Sequence, residues 1–153
     1  MKGSIDDIIR RLEDYKKSLK VKADAIVKAL AEAGCEGAKV SFAGSGYMGD
    51  NDVDVTVEER GEGKYAIVAN GRAVLFLEFG AGVTLGYGHP NPMQYGPGTY
   101  PGKGHWNDPR GWYLPKEAGG GHTYGNPPTA AMYYTGKSLR GMIAQVAREV
   151  FGG

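Results

Sequence analysis

The sequence has almost no net charge, and it lacks any long apolar run. Its 153 residues include 18 basic and 17 acidic side chains, which leaves a formal charge of +1. Proteins that bind the nucleic-acid backbone usually have a basic patch and a raised pI. We therefore expect no sequence-specific nucleic-acid binding. No stretch approaches the roughly 20 apolar residues that span a bilayer, and the charged N-terminus is unlike a signal peptide. We therefore expect no membrane association.

The sequence is also poor in cysteine and lacks the residue spacings that are typical of metal sites. Cys35 is the only cysteine, so an internal disulfide is excluded and a reducing cytoplasm is expected. His89, His105 and His122 with Asp108 could suggest a metal site, but no pair has a spacing that is typical of metal ligands. No nucleophile motif flanks Cys35. The sequence thus predicts no cofactor, no metal and no catalytic residue.

The first zone, residues 4–33, has the spacing of an amphipathic helix. Ser4 followed by Asp7 forms a variant capping box, and Gly34 occupies a position typical of a helix C-cap. A stripe of this kind usually packs against a sheet; packing against a partner helix is the alternative, and a break near residues 18–20 stays open. The apolar stripe consists of Ile5, Ile8, Ile9, Leu12, Leu19, Ala23, Ile26, Leu30 and Ala33.

The second zone predicts a small antiparallel sheet. Alternating residues at 39–42 and at 52–58 indicate strands, and the valines of the second run share one face. A third run, 64–69, leads into Asn70-Gly71, which is a strong signal for a type I′ hairpin turn. The run 72–79 is then either the returning strand or a short helix, since periodicity does not separate the two over so few residues.

The third zone, residues 80–128, holds all 8 prolines, all 3 histidines and both tryptophans. Proline removes backbone donors and glycine costs entropy, so we expect a long loop without regular structure. Aromatic residues of the kind found here are enriched at interfaces. They could instead pack back onto the sheet as a second small core, or form a glycan-binding or peptide-binding groove. The aromatic residues in question are Tyr87, Tyr95, Tyr100, Trp106, Trp112, Tyr113 and Tyr124.

A second helix is predicted over residues 129–151, with a break near Gly136. Its stripe is formed by Met132, Leu139, Met142, Ile143, Val146 and Val150. Together the zones predict one α+β domain over residues 1–153, in which a small antiparallel sheet (38–80) is packed by an N-terminal helix (1–34) and a C-terminal helix (129–151), with the loop 80–128 between them.

Two stretches resemble the tail-completion, or head–tail joining, proteins of long-tailed phages, the lambdoid gene-ten-like minor structural proteins. In "VANGRAVLFLEFGAGV", residues 68–83, an alanine-led apolar run ends in Glu-Phe-Gly, and the matching residues are Glu78, Phe79, Gly80 and Gly82. In "PTAAMYYTGKSLR", residues 128–140, the matching residues are Pro128, Met132, Tyr133, Thr135, Leu139 and Arg140. The order of elements is similar too, although Thr129–Ala131 replaces an Arg-Pro-Phe step that is common in that family.

The resemblance implies a structural protein and no enzyme. Members of that family are expected to assemble as a ring, typically a hexamer, at the head-proximal end of the tail. The implied partners are further copies of the chain, head-completion proteins, and the tail tube or its terminator. The protein would be made in the bacterial host cytoplasm and located in the virion. The loop and the N-terminal helix are the candidate ring interfaces.

The resemblance also suggests a role for Glu78, which lies among large apolar residues where burial of an unpaired carboxylate is costly. We expect Gly80 to make the turn out of the sheet, and the Glu78 carboxylate to accept backbone N–H bonds near the start of the loop or of the last helix. An exposed strand glutamate is the alternative. Two other functions stay open: a cell-wall or metal-dependent hydrolase that uses the histidines, and a glycan-binding or peptide-binding module.

Overall fold

The computed structural model describes residues 4–45, 51–91 and 108–152. The predicted α+β class is confirmed: a long N-terminal helix and a C-terminal helix pack with a small two-stranded antiparallel sheet. The elements in chain order are α1 (Ile5–Ala43), β1 (Asp54–Gly61), β2 (Lys64–Asn70), α2 (Val74–Phe79), β3 (Trp112–Tyr113), β4 (His122–Thr123) and α3 (Ala131–Gly152). Within the described part of the chain, no helix is both long and apolar enough to cross a membrane.

Helix α1 begins as predicted and ends later. Ser4 Oγ accepts a hydrogen bond from the Asp6 N–H, and the Asp7 carboxylate accepts one from the Ser4 N–H. The helix has no break near residues 18–20, and Gly34 is not its C-cap. A Cβ on Gly34 would lie 2.5 Å from Cδ1 of Ile67 and 2.9 Å from Cδ1 of Leu139, so glycine allows β2 and α3 to approach α1 closely there. The prediction failed because a helical glycine serves packing as readily as capping.

The predicted strand at residues 39–42 is also helical. Cys35, Ala38 and Phe42 are buried and lie on one face of α1 at helical spacing, whereas Val40 is exposed. The four-residue alternation therefore arose by chance within a longer helical pattern. The helix ends at Gly44, whose N–H donates to the carbonyl of Val40.

The first half of α1 does not pack against the sheet. Among the described residues, its large apolar side chains from Ile5 to Leu19 are exposed. The expected packing of the stripe against the sheet is therefore wrong for this half. The second half supplies the core, together with the sheet, α2 and the first turn of α3. The buried cluster consists of Cys35, Ala38, Phe42, Val55, Ala73, Leu77 and Ala131.

The sheet has the predicted valine face and a different turn. Val55 pairs with Ala69 in the β1–β2 register, and Val53 and Val57 pack beside it against the core. The hairpin turn falls between Gly61 and Lys64, not at Asn70-Gly71.

After Gly71 the chain turns into α2, which settles residues 72–79 as largely helical. The Asp52 carboxylate explains the turn, because it accepts hydrogen bonds from the N–H groups of Arg72 and Ala73, both at 2.9 Å. These two bonds hold the pKa of Asp52 well below its usual range, at about 2.

The third zone contains some regular structure, contrary to expectation. β3 and β4 form a two-stranded ribbon, and residues 116–118 form a 3₁₀ turn between them. Ala81 and Asn126 form an isolated antiparallel bridge. Helix α3 then runs without a break through Gly136, because packing along α1 outweighs the weak helix propensity of glycine.

Candidate functional site

The two stretches that carry the resemblance meet at Glu78, between α2 and the start of α3. Glu78 is 6% exposed, and its two carboxylate oxygens accept the N–H groups of Met132 (2.9 Å) and Tyr133 (3.0 Å). These N–H groups belong to the first turn of α3, which has no intrahelical acceptor for them, and the positive end of the helix dipole also favours a carboxylate there. The expected bond from Glu78 to the last helix is therefore present. The alternative of an exposed strand glutamate is wrong.

His89 completes the surroundings of the carboxylate. Its Nε2 lies 3.3 Å from Glu78 Oε1, and its Nδ1 accepts the N–H of Asn91 at 3.0 Å. Because Nδ1 is an acceptor, we assign the ring proton to Nε2, which then donates to Glu78. The imidazole lies 4.5 Å from the ring centre of Phe79 and 5.8 Å from that of Tyr133. No spacing rule links residues 78 and 89, so the sequence did not predict this role of His89.

The backbone around Glu78 locks the same two stretches together. The carbonyl of Leu77 accepts both the N–H and the hydroxyl of Thr129, each at 2.8 Å. The Asn126 side chain donates to the carbonyl of Phe76 at 2.8 Å, and the Ala130 N–H donates to the carbonyl of Glu78 at 3.1 Å. We call this set of contacts between residues 76–82 and 126–133 the α2–α3 junction.

Two residues in the α2–α3 junction have unusual backbone conformations. Gly80 has φ of +78°, and a Cβ there would lie 2.9 Å from the carbonyl oxygen of Asn126 and from Cδ of Pro128. Ala130 has φ of +49°, which is sparsely populated for a residue with a Cβ. Such strain persists only where the surrounding contacts impose it, as the hydrogen bonds of the junction do here.

The other motif residues mostly contribute to packing. Thr135 is buried, Met132 packs against the core, and Leu139 lies beside Gly34 of α1. Gly82 is buried and, like Gly80, has a positive φ. Arg140 is exposed on α3. The motif thus describes how α3 is held to the rest of the domain.

The predicted aromatic interface is only partly on the surface. Tyr87, Tyr113 and Tyr124 are more than half exposed, whereas Trp112 is buried and lies beside Gly82. Trp112 therefore follows the alternative of packing back onto the domain. The predicted interface residues Tyr95, Tyr100 and Trp106 lie outside the described residues.

The exposed aromatic residues include one cluster on the β3–β4 ribbon. The His122 ring lies 4.9 Å from the ring centre of Tyr113 and 5.0 Å from that of Tyr124, both edge-on. Asp108 forms a two-point ion pair with Arg110, which holds the pKa of that carboxyl below its usual range. Across residues 4–45, 51–91 and 108–152, no group of three or more His, Cys, Asp or Glu side chains could hold a metal ion; His105 lies outside these ranges.

Comparison with known proteins adds no relative. No family model, no curated protein and no solved structure matches this chain. Any functional assignment must therefore be argued from the residues of the junction, the exposed surfaces and the resemblance of the two motifs.

Proposed function

We propose that this protein is a structural component of the head–tail joint of a phage or prophage, where it completes the head-proximal end of the tail. One observation supports the proposal most strongly. The two stretches that resemble the tail-completion family are separate in sequence, and the Glu78 carboxylate of the first accepts the N–H of Met132 in the second, 54 positions later. Two chance matches have no reason to contact each other, whereas two halves of one family motif do.

The protein acts as a ring of identical subunits, with a hexamer as the expected form. Closing a ring requires a heterologous interface, in which one patch on each subunit meets a different patch on the next. The exposed tyrosines Tyr87, Tyr113 and Tyr124 supply aromatic surface of the kind that is enriched at interfaces. A formal charge of +1 suits a channel through which DNA must slide, since a strongly basic lining would hold it.

In this role the partners are head-completion proteins on one side and the tail tube or its terminator on the other. The role needs no catalytic residue. Glu78 and His89 are the buried acid–base pair of the junction, and each of them already bonds backbone N–H groups. A general acid or base must reach the proton that it transfers in a bound substrate, which suits neither residue. Burial therefore favours a structural role for these two residues.

Complementation tests the proposal. The phage or prophage that carries this gene receives an early stop codon in it, and the host carries the intact gene on a plasmid. We expect the mutant to form almost no plaques without the plasmid and to recover its titre with it. A plasmid copy with the same stop codon is the control. A full titre in the absence of the plasmid would contradict a role in the joint.

A further inference from the structure

The first half of α1 extends beyond the helix that packs on the second half. Helix α3 ends beside Lys22, whose Nζ lies 5.3 Å from the centre of the Phe151 ring. Residues 5–21 continue past this point for roughly 25 Å, at 1.5 Å per residue. The large apolar side chains on this segment are between 38% and 76% exposed, and they include Ile5, Ile8, Ile9, Leu12, Tyr15, Leu19 and Val21.

Five of these side chains have the spacing of a helix–helix seam. Their positions are separated by alternating steps of three and four residues, which is the a/d pattern of a coiled coil. We call these residues the α1 seam: Ile5, Ile8, Leu12, Tyr15 and Leu19.

The charges on the same segment change sign along its length. Residues 4–14 carry four acidic and two basic side chains, a net charge of −2, whereas residues 15–23 carry four lysines and no acid, a net charge of +4. A second copy in the antiparallel direction brings each acidic end against a basic end. A parallel pair would bring like charges together, which is unfavourable.

The residues beside the seam follow the same order of charge, with acidic residues before basic ones. They have the same spacing of three and four residues and are Asp6, Ile9, Glu13, Lys16 and Lys20. If Leu12 lies opposite Tyr15 of the second copy, the long side chains of Glu13 and of Lys16 of that copy can meet, and this contact occurs twice by symmetry. Lys20 pairs with Glu62 of its own chain.

We propose that two copies of this protein pair through their α1 seams as an antiparallel, two-fold dimer. The occupant of the seam is a second copy because the segment is complementary to itself in both apolar spacing and charge. Pairing covers a row of apolar side chains of a kind that a monomeric protein seldom exposes. The contact rests on α1 alone. The two ends of a head–tail joint differ, whereas the two ends of a two-fold dimer are equivalent. The dimer is therefore the form of the protein before it joins any such assembly.

The mass of the purified full-length protein tests the pairing. Sedimentation equilibrium over about 1 to 100 μM should give a dimer that dissociates on dilution. Leu12→Glu places a carboxylate at the centre of the seam, and we expect it to weaken association by at least about 100-fold. Val21→Glu is the matched control, since Val21 is 70% exposed on the same segment but off the seam, and it should leave the dimer intact. Circular dichroism should show both variants folded, because neither position contacts the core cluster.

Three results would overturn the pairing: a monomer at every concentration, a dimer that survives Leu12→Glu, or a parent that assembles only into species larger than a dimer. The last would indicate that the seam docks into a different surface of the next subunit. These assays use isolated protein, whereas the role in the joint is tested by phage titre. Failure of one proposal is therefore distinguishable from failure of the other.

Disulfide trapping tests the direction of the pair. Chains with Ile8→Cys and chains with Leu19→Cys, carrying tags of different mass, are mixed and oxidised; the native Cys35 is buried in the core. An antiparallel pair places residue 8 opposite residue 19, so a disulfide between the two kinds of chain should be the main product. Disulfides only between chains of the same kind would overturn the antiparallel arrangement.

Discussion

Replacing Glu78 by glutamine tests the α2–α3 junction with the smallest possible change of shape. Glutamine keeps one oxygen, which can still accept from Tyr133 and from His89. Its amide nitrogen then faces the N–H of Met132, so that one charge-assisted hydrogen bond becomes a contact between two donors. The negative charge at the start of α3 is lost as well.

The expected loss of stability follows from these contacts. Replacing a hydrogen bond to a charged group by a buried N–H without an acceptor costs about 1.5–3 kcal/mol. Removing a carboxylate from a helix N-terminus costs about 0.3–1 kcal/mol more. We therefore expect Glu78→Gln to lower the free energy of unfolding by about 3 kcal/mol. In a protein of this size that corresponds to a fall in Tm of about 6–12 °C.

Urea unfolding followed by circular dichroism measures the effect. Glu36→Gln is the matched control, because Glu36 lies on α1 with its side chain 72% exposed in a surface pair with Lys39. Its loss should change stability by no more than about 0.5 kcal/mol. Amide hydrogen exchange adds a local readout: the N–H groups of Met132 and Tyr133 should exchange faster in Glu78→Gln than in the control. If the two variants unfold at the same urea concentration, or if these amides are unchanged, the anchoring role of Glu78 is wrong.

Four other substitutions test the close packing at Gly34, the turn at Gly80 and the hydrogen bonds of Asp52. Gly37→Ala should stabilise the protein by about 0.5–1 kcal/mol because no atom lies within 4 Å of the new Cβ. Gly34→Val, one turn away, should destabilise it by about 1–3 kcal/mol because the side chain meets Ile67; equal Tm values would contradict close packing at Gly34. Gly80→Ala should cost about 3 kcal/mol in urea unfolding, since φ is +78° and the Cβ meets backbone atoms; a parent-like midpoint would refute the turn. Folding lowers the pKa of Asp52 from 3.8 to about 2. The contribution of Asp52 to stability is therefore present above pH 3.8 and is lost as the pH falls through about 2. The Tm of Asp52→Asn should consequently fall less than that of the parent between pH 5 and pH 2.5, and parallel curves would contradict the role of Asp52 in the turn.

Local patterns were sufficient to predict the elements whose causes are local. The Ser4–Asp7 capping box and the valine face of β1 both depend on residues within a few positions of each other. The α+β class followed from the order of helical and alternating segments. The bond from Glu78 to α3 was expected because a carboxylate among apolar residues requires a partner, and the motif resemblance suggested where to find it.

Several of the incorrect or missing predictions have a different cause, which is contact between residues far apart in sequence. Gly34 lies inside α1 because Ile67 approaches it, and no local signal separates that use of glycine from a C-cap. The turn after Gly71 leads into α2 because Asp52, on the other side of the hairpin, accepts the N–H groups of Arg72 and Ala73 just before that helix. His89 joins Glu78 through a segment without periodicity. Sequence spacing alone does not show which distant residues come into contact in the folded protein.

Electron microscopy of particles from the stop-codon mutant tests the central proposal most directly. A role in the head–tail joint predicts DNA-filled heads and separate, unattached or malformed tails, with normal particles restored by the plasmid copy. Intact tailed particles in the absence of the protein would contradict that role.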